Sequence, residues 1–159
     1  MNEKINNKGK RYLLILSCSK RKKQISKAPA LELYDGPFYR VLRKNMSSNI
    51  DVVILSARYG LIDSNKVISY YDQRMTTERA KELSKHVEVK LKEKIKNMEY
   101  KNIFVNLGKT YMIAFKNNEK LLKKYNVIYA SGPIGKRLHQ LKKWLVKIDK
   151  KWVDYDSLG

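Results

Sequence analysis

Short apolar runs alternate with amphipathic stretches along the chain. The runs are nearly continuous in hydrophobic residues, which is typical of strands buried on both faces of a parallel sheet. Four strands are therefore predicted, at residues 12–17, 51–57, 102–106 and 126–130.

The segments between these runs carry apolar residues at helical spacing. In the longest of them Leu83, Val87, Leu91 and Ile95 recur every four residues, as on one face of a helix. Strand–helix alternation predicts an α/β fold with a mostly parallel, four-stranded sheet. Ligands in such folds bind outside the carboxyl ends of the strands, so chemistry is expected there. The predicted helices are residues 37–47, 76–98, 109–123 and 134–148.

A length of 159 residues fits one domain. We expect residues 11–148 to form it, with a flexible basic tail at 1–10 and a second tail at 149–159. The N-terminus lacks the apolar core of a signal peptide. No apolar run approaches the roughly 20 residues that a membrane span needs. These features predict a cytoplasmic protein without a membrane partner.

The charge is strongly positive. Lys and Arg number 35 against 15 Asp and Glu, a formal net charge of +20. Such a field attracts polyanions and favours DNA, RNA or a nucleotide phosphate as the partner. A purely compositional lysine bias is the alternative, and the charge identifies no protein partner.

Metal and cofactor chemistry finds little support. One Cys and two His cannot form a cysteine-clustered zinc site or a four-cysteine iron–sulfur cluster. Gly108-Lys109-Thr110 lacks the earlier glycine of a phosphate-binding P-loop, since position 103 is Ile. We therefore expect no metal and no cofactor.

A basic loop follows the first predicted strand. Its small residues let backbone N–H groups approach a ligand, and its cations favour phosphate. A thiolate among these cations would be stabilised, which makes Cys18 a candidate nucleophile. The alternative is a solvated loop with an inert cysteine. The candidate residues here are Ser17, Cys18, Ser19, Lys20 and Arg21.

The second strand is followed by Arg58, a candidate phosphate clamp, and Tyr59, a candidate stacking face. Asp72 then lies among aromatic residues in a segment with little helical signal. Its carboxylate could orient water or stabilise a cation. The alternative for Asp72 is a turn or helix cap before Thr76.

Asn106 and Gly108 follow the third strand, and a glycine-bounded turn follows the fourth. Free N–H groups and the positive end of the next helix favour an anion there. An ordinary turn into an amphipathic helix is the alternative. We interpret His86 as structural and His139 as a surface or interface residue. The candidates in the fourth loop are Gly132, Pro133, Gly135, Lys136 and Arg137.

Several motifs together resemble a family of small domains of unknown function, over roughly residues 12–145. They are Ser-Cys-Ser-Lys-Arg-Lys at 17–22, Ala-Pro-Ala-Leu-Glu-Leu-Tyr at 28–34, Leu-Ser-Ala-Arg-Tyr-Gly-Leu-Ile at 55–62 and Tyr-Tyr-Asp at 70–72.

The first motif is also similar to the core motif of archaeosine synthase, a tRNA-modifying enzyme. Cys18 and Ser26 hold its spacing, whereas Arg21 and Pro29 stand where that motif has Lys and His. That domain is similar in fold to uracil-DNA glycosylases. The resemblance implies a three-layer α/β/α sandwich with active loops at 17–23 and 131–137.

The resemblance also implies a chemistry in which a base is extruded into a pocket between these loops. Asp72 would stabilise the positive sugar or position water, although the Gly-x-Asp-Pro signature of glycosylases is absent. Tyr34, Tyr59 or Tyr71 would stack on the base. The flanking phosphates would be held by Lys20, Arg21, Lys136 and Arg137.

The resulting hypothesis is a nucleic-acid-directed enzyme that cleaves an N-glycosidic bond or modifies a base in a related way. A DNA- or RNA-binding module without turnover and an enzyme on free nucleotides are the alternatives.

Overall fold

The computed structural model describes residues 11–96 and 98–158, with side chains of the last helix described as far as Asp149. The predicted tail at 1–10 lies outside these residues. The elements are β1 (Arg11–Ser17), β2 (Lys27–Pro29), α1 (Ala30–Leu33), α2 (Pro37–Lys44), β3 (Ile50–Ser56), β4 (Gly60–Asp63), β5 (Val67–Ser69), α3 (Thr77–Ile95), β6 (Tyr100–Asn106), α4 (Lys109–Phe115), a 3-10 turn (Lys116–Asn118), α5 (Glu119–Leu122), β7 (Val127–Tyr129) and α6 (Ile134–Leu158).

The main sheet has the strand order β4-β3-β1-β6-β7. The four predicted strands are β1, β3, β6 and β7, and they pair in parallel, which confirms the mostly parallel sheet. The predicted strand count of four is wrong, because β4 adds an antiparallel fifth strand beside β3. Gly60 begins β4 with a φ of 76°, a left-handed conformation that glycine adopts without strain. β4 has only four residues, too few for a clear strand pattern.

β2 and β5 form a separate two-stranded antiparallel sheet. Each strand has three residues, and only the central one, Ala28 or Ile68, is buried. Such short strands leave no periodic signal in the sequence. Their pairing brings the chain before α1 next to the chain before Tyr70, which matters for the site.

Helices cover both faces of the main sheet. On one face, residues of α2 and α6 cluster with Leu14, Leu16 and Phe104. On the other, residues of α3 and α4 cluster with Leu13 and Ile15. Successive residues of β1 therefore contact opposite layers, as the period of two in a strand requires. This explains why the strand is apolar from Tyr12 to Leu16.

α2 and α3 end three residues before their predicted ends, and the last two predicted helices differ more. The predicted helix at 109–123 is interrupted by the 3-10 turn, where the buried Asn118 amide donates to the carbonyl of Phe115 at 3.3 Å. Side-chain bonds of this kind compete with helical backbone bonds. The last helix continues to Leu158, ten residues beyond its predicted end. None of the described helices is long and apolar enough to cross a membrane.

The strand order places a switch point next to β1. The chain passes from β1 to β3 on one side, and β6 then pairs with the other side of β1. The connections therefore diverge at the carboxyl ends of β1 and β6, leaving a crevice of the kind in which α/β proteins bind ligands.

Candidate functional site

A cavity of about 660 Å³ opens at the carboxyl ends of β1 and β6. This volume lies in the range of small-molecule sites, roughly 300–1,000 Å³. Three lysines and Arg74 line it against one carboxylate, Asp72, so it favours an anionic ligand. The lining residues are Cys18, Ser19, Lys20, Lys22, Asp72, Gln73, Arg74, Met75, Gly108, Lys109, Thr110 and Tyr111.

Hydrogen bonds join the loops after β1 and β6. The Ser17 hydroxyl oxygen accepts the N–H of Gly108 at 3.0 Å. The Ser17 carbonyl accepts the Tyr39 hydroxyl at 2.7 Å. Gly36 packs closely against the loop after β1, since a Cβ at position 36 would lie 2.9 Å from Cβ of Ser19. Ser17 therefore joins β1 to Gly108 and Tyr39 and does not belong to the described lining of the cavity.

Cys18 and Tyr111 form a polar pair in the cavity. The Cys18 Sγ lies 3.1 Å from the Tyr111 hydroxyl oxygen, within hydrogen-bond distance. Burial raises the pKa of Tyr111, so its hydroxyl keeps its proton at neutral pH and can donate. Among the described residues that line this cavity there is no histidine. Cys18 therefore lacks the imidazole base that usually activates a nucleophilic thiol.

Tyr71 anchors the segment that carries Asp72. Its hydroxyl oxygen lies 2.6 Å from that of Tyr34 and 2.9 Å from Oγ of Ser56. Burial raises the pKa of both tyrosines, so both hydroxyls are neutral. Tyr34 is 0% exposed, so it supports the site through Tyr71 rather than through a free ring face.

Asp72 follows this anchor directly, is exposed and lines the cavity. The cap of α3 is Thr76, whose hydroxyl accepts the Arg79 N–H at 3.0 Å, so the alternative of Asp72 as the helix cap is wrong. The Lys22 amine lies 4.4 Å from the centre of the Tyr71 ring. Burial lowers the pKa of Lys22, while Cys18 and Asp72 oppose this shift.

Arg21, Arg58 and Tyr59 lie around this core of the site. The Arg21 guanidinium is exposed and lies 4.0 Å from Asp35. Tyr59 packs edge-on against Tyr71, with ring centres 5.3 Å apart, and its hydroxyl donates to a backbone carbonyl. Arg58 lies 5.7 Å from the Tyr59 ring centre. These residues are absent from the described lining of the cavity.

Tyr59 instead lines a second cavity of about 370 Å³ with His86. There Nε2 of His86 accepts the N–H of Leu61 at 3.1 Å. This bond supports the structural interpretation of His86.

The loop after β7 is separate from the cavity. Gly132, Pro133, Gly135 and Lys136 are exposed and do not belong to its described lining. Arg137 donates to the Asn106 side-chain oxygen at 3.0 Å and lies over the Phe38 ring.

Residues 13–143 match the family of unknown function DUF6884. The chain belongs to the DUF6884 family. No curated protein matches it by sequence.

Among solved structures, the DUF6884 chain is similar to the crystal structure of AF0587, a protein of unknown function. The TM-score is 0.56 at 17% identity over 86% of this chain and 45% of that one. At this identity the likeness shows the fold alone, and the chain spans less than half the length of AF0587. The resemblance to a family of unknown function is confirmed, whereas the likeness to archaeosine synthase and glycosylases stays a prediction.

Of the candidate residues predicted from the sequence, the cavity brings together Cys18, Ser19, Lys20, Asp72 and Gly108, and all but Asp72 follow β1 or β6 closely. Several other lining residues were not among the candidates. Their position in the sequence could have indicated most of them, since most also lie just after the same two strands. The missed residues are Lys22, Gln73, Arg74, Met75, Lys109, Thr110 and Tyr111. The described residues contain no group of three or more His, Cys, Asp or Glu that could hold a metal ion.

Proposed function

We propose that this protein is an enzyme that acts on a nucleobase within a nucleic acid, by cleavage of the N-glycosidic bond or a related base modification. The observation that carries the proposal is the placement of Asp72 in one cavity with Lys20, Arg74 and Lys109. A single carboxylate among cations suits a reaction that develops positive charge on a sugar held between phosphates.

The chemistry begins with extrusion of the target nucleotide into the cavity. As the bond between the sugar C1′ and the base breaks, its electron pair leaves with the base and the sugar becomes oxocarbenium-like. Asp72 stabilises that positive charge and accepts a proton from the water that attacks C1′. The protonated Tyr111 hydroxyl donates a hydrogen bond to the departing base.

The cations at the rim supply affinity for the phosphates. Lys20, Arg74 and Lys109 are exposed, so their charges can reach a phosphate without first leaving a buried environment. Phosphate contacts fix the register of the polymer without reading its sequence. The proposal includes a three-layer sandwich like that of uracil-DNA glycosylases, supported by helices on both faces of the sheet, and a cytoplasmic location.

Base release tests the proposal. Purified protein is incubated with tRNA, single-stranded DNA and duplexes that carry modified or mismatched bases, and free base is measured by mass spectrometry. Asp72→Asn should lower release by about 10²–10⁴-fold, the usual effect of losing an acid–base group.

Asp149→Asn is the matched control. It makes the same chemical change at an exposed position late in α6, about 20 Å along the helix from its first residue. Release that is absent on every substrate, or equal in the two variants, would overturn the proposal.

Binding without turnover is a second candidate, favoured by the excess of cations over carboxylates in the cavity. It predicts that Asp72→Asn binds nucleic acid as tightly as the wild type and that no base is released. An enzyme on free nucleotides predicts instead tight mononucleotide binding and weak binding of polymers.

A further inference from the structure

We propose that the Lys22 amine is a reactive group of this cavity, which forms an imine with the C1′ aldehyde of an abasic sugar in a nucleic acid. The inference rests on the proposed function, since base removal leaves such a sugar in the same cavity. It adds a second activity, cleavage of the sugar–phosphate backbone after the base has gone.

Lys22 differs from the other two lysines of the cavity. Lys20 and Lys109 are exposed, whereas Lys22 is half-buried. Its amine donates to the carbonyl of Lys20 at 3.3 Å and lies over the rings of Tyr71 and Tyr34, at 4.4 and 5.9 Å from their centres. These contacts hold the amine in place within the cavity, rather than leaving it on a free side chain.

The surroundings also favour nucleophilic chemistry. An amine attacks a carbonyl only in its neutral form, and desolvation makes that form more accessible. Burial lowers the pKa of Lys22, with Cys18 and Asp72 opposing the shift. Asp72 lines the same cavity as Lys22 and supplies a carboxylate that can accept a proton there.

The reaction is balanced without an oxidant or a reductant. The neutral Lys22 amine adds to the aldehyde carbon, and loss of water leaves a neutral imine, which takes up one proton from solvent to become a protonated imine. Asp72 takes a proton from C2′, and the electron pair of that bond forms a double bond while the 3′ phosphate departs from C3′. Water then hydrolyses the imine, which restores Lys22 and releases the unsaturated aldehyde on the 5′ fragment.

Borohydride trapping tests the inference. The full chain is mixed with an oligonucleotide that carries a preformed abasic site, as DNA in one arm and as RNA in the other. Borohydride reduces an imine to a stable amine, so the adduct survives electrophoresis, and peptide mass mapping locates it. We expect one adduct, on Lys22, and the arm that forms it identifies the sugar.

Lys22→Arg should lower trapping at least about tenfold, because a guanidinium keeps the charge and the ring contact but does not form this imine. Lys92→Arg, at an exposed lysine of α3 outside the described lining of the cavity, is the matched control and should trap as the wild type does. An adduct mapped to another lysine, an adduct undiminished in Lys22→Arg, or the absence of any adduct in both arms would overturn the inference.

Mapping the wild-type adduct needs no variant, so the test does not depend on how Lys22→Arg folds. Because the abasic site is preformed, trapping also does not depend on base release. Base release without trapping would overturn this inference alone, and trapping on Lys22 without base release would overturn the proposed glycosylase step alone.

Discussion

The hydroxyl oxygens of Tyr71 and Tyr34 lie 2.6 Å apart. Tyr34 follows α1, and Tyr71 immediately precedes Asp72. Since Tyr71 also reaches Ser56 at the end of β3, one hydroxyl connects the wall of the cavity to the sheet and to the α1 segment. This buried hydrogen bond therefore anchors the segment that carries Asp72.

Removing the Tyr71 hydroxyl should therefore destabilise the protein. Tyr71→Phe removes a hydrogen-bond partner from the buried hydroxyls of Tyr34 and Ser56. We expect this loss to lower the free energy of unfolding by about 1–3 kcal/mol. Urea denaturation measures the loss. Tyr70→Phe is the matched control, since Tyr70 is 43% exposed and should change stability by less than about 0.5 kcal/mol. Equal effects of the two variants would contradict the anchoring role.

Stability should fall on mild acidification because of His86. Burial, with nearby cations, lowers the pKa of His86 below its ordinary value of 6.5. The unfolded chain then binds a proton more readily than the folded one, so stability is complete above pH 6.5 and declines as the pH falls below it. Protonation also removes the acceptor that Leu61 uses.

The measurement is the urea midpoint between pH 7.5 and 5. His86→Gln, which keeps an acceptor but does not titrate, should flatten the decline in this range. His139→Gln should leave it unchanged, because His139 is exposed. A decline that persists undiminished in His86→Gln would assign it to other groups.

Gly36 should matter for ligand binding although it lies behind the cavity wall. An alanine Cβ there would lie 2.9 Å from Cβ of Ser19, so the loop after β1 must shift. We expect Gly36→Ala to weaken nucleic-acid binding by more than about tenfold, measured by fluorescence anisotropy. Gly135→Ala is the control, since a Cβ at that position meets nothing within 4 Å. Equal affinities of both variants and the wild type would show that the loop position is irrelevant to binding.

Salt should weaken nucleic-acid binding steeply if the rim cations contact phosphates. Removing one such contact lowers the slope of log K against log salt by about one. We expect this for Lys20→Gln and for Lys109→Gln. Lys92→Gln, an exposed lysine of α3, is the matched control and should keep the wild-type slope. A flat slope in the wild type would contradict a nucleic-acid polymer as the substrate of the proposed reaction.

The sequence alone determined the repeating part of the fold. Continuous apolar runs predicted the four parallel strands. β1, β3 and β6 lie inside a covered sheet, where local composition reports burial, whereas β7 is an edge strand on which Ile128 and Tyr129 are exposed. The sequence also indicated the residues that directly follow β1 as candidates, since ligands in α/β folds bind outside the carboxyl ends of the strands.

Only the tertiary structure decided how the rest comes together. β2, β4 and β5 depend on pairing partners rather than on a periodic pattern of their own. The bond from Tyr71 to Tyr34 spans 37 positions and the contact of Cys18 with Tyr111 spans 93. Such contacts depend on the packing of distant segments, so neither local spacing nor composition encodes which partners meet.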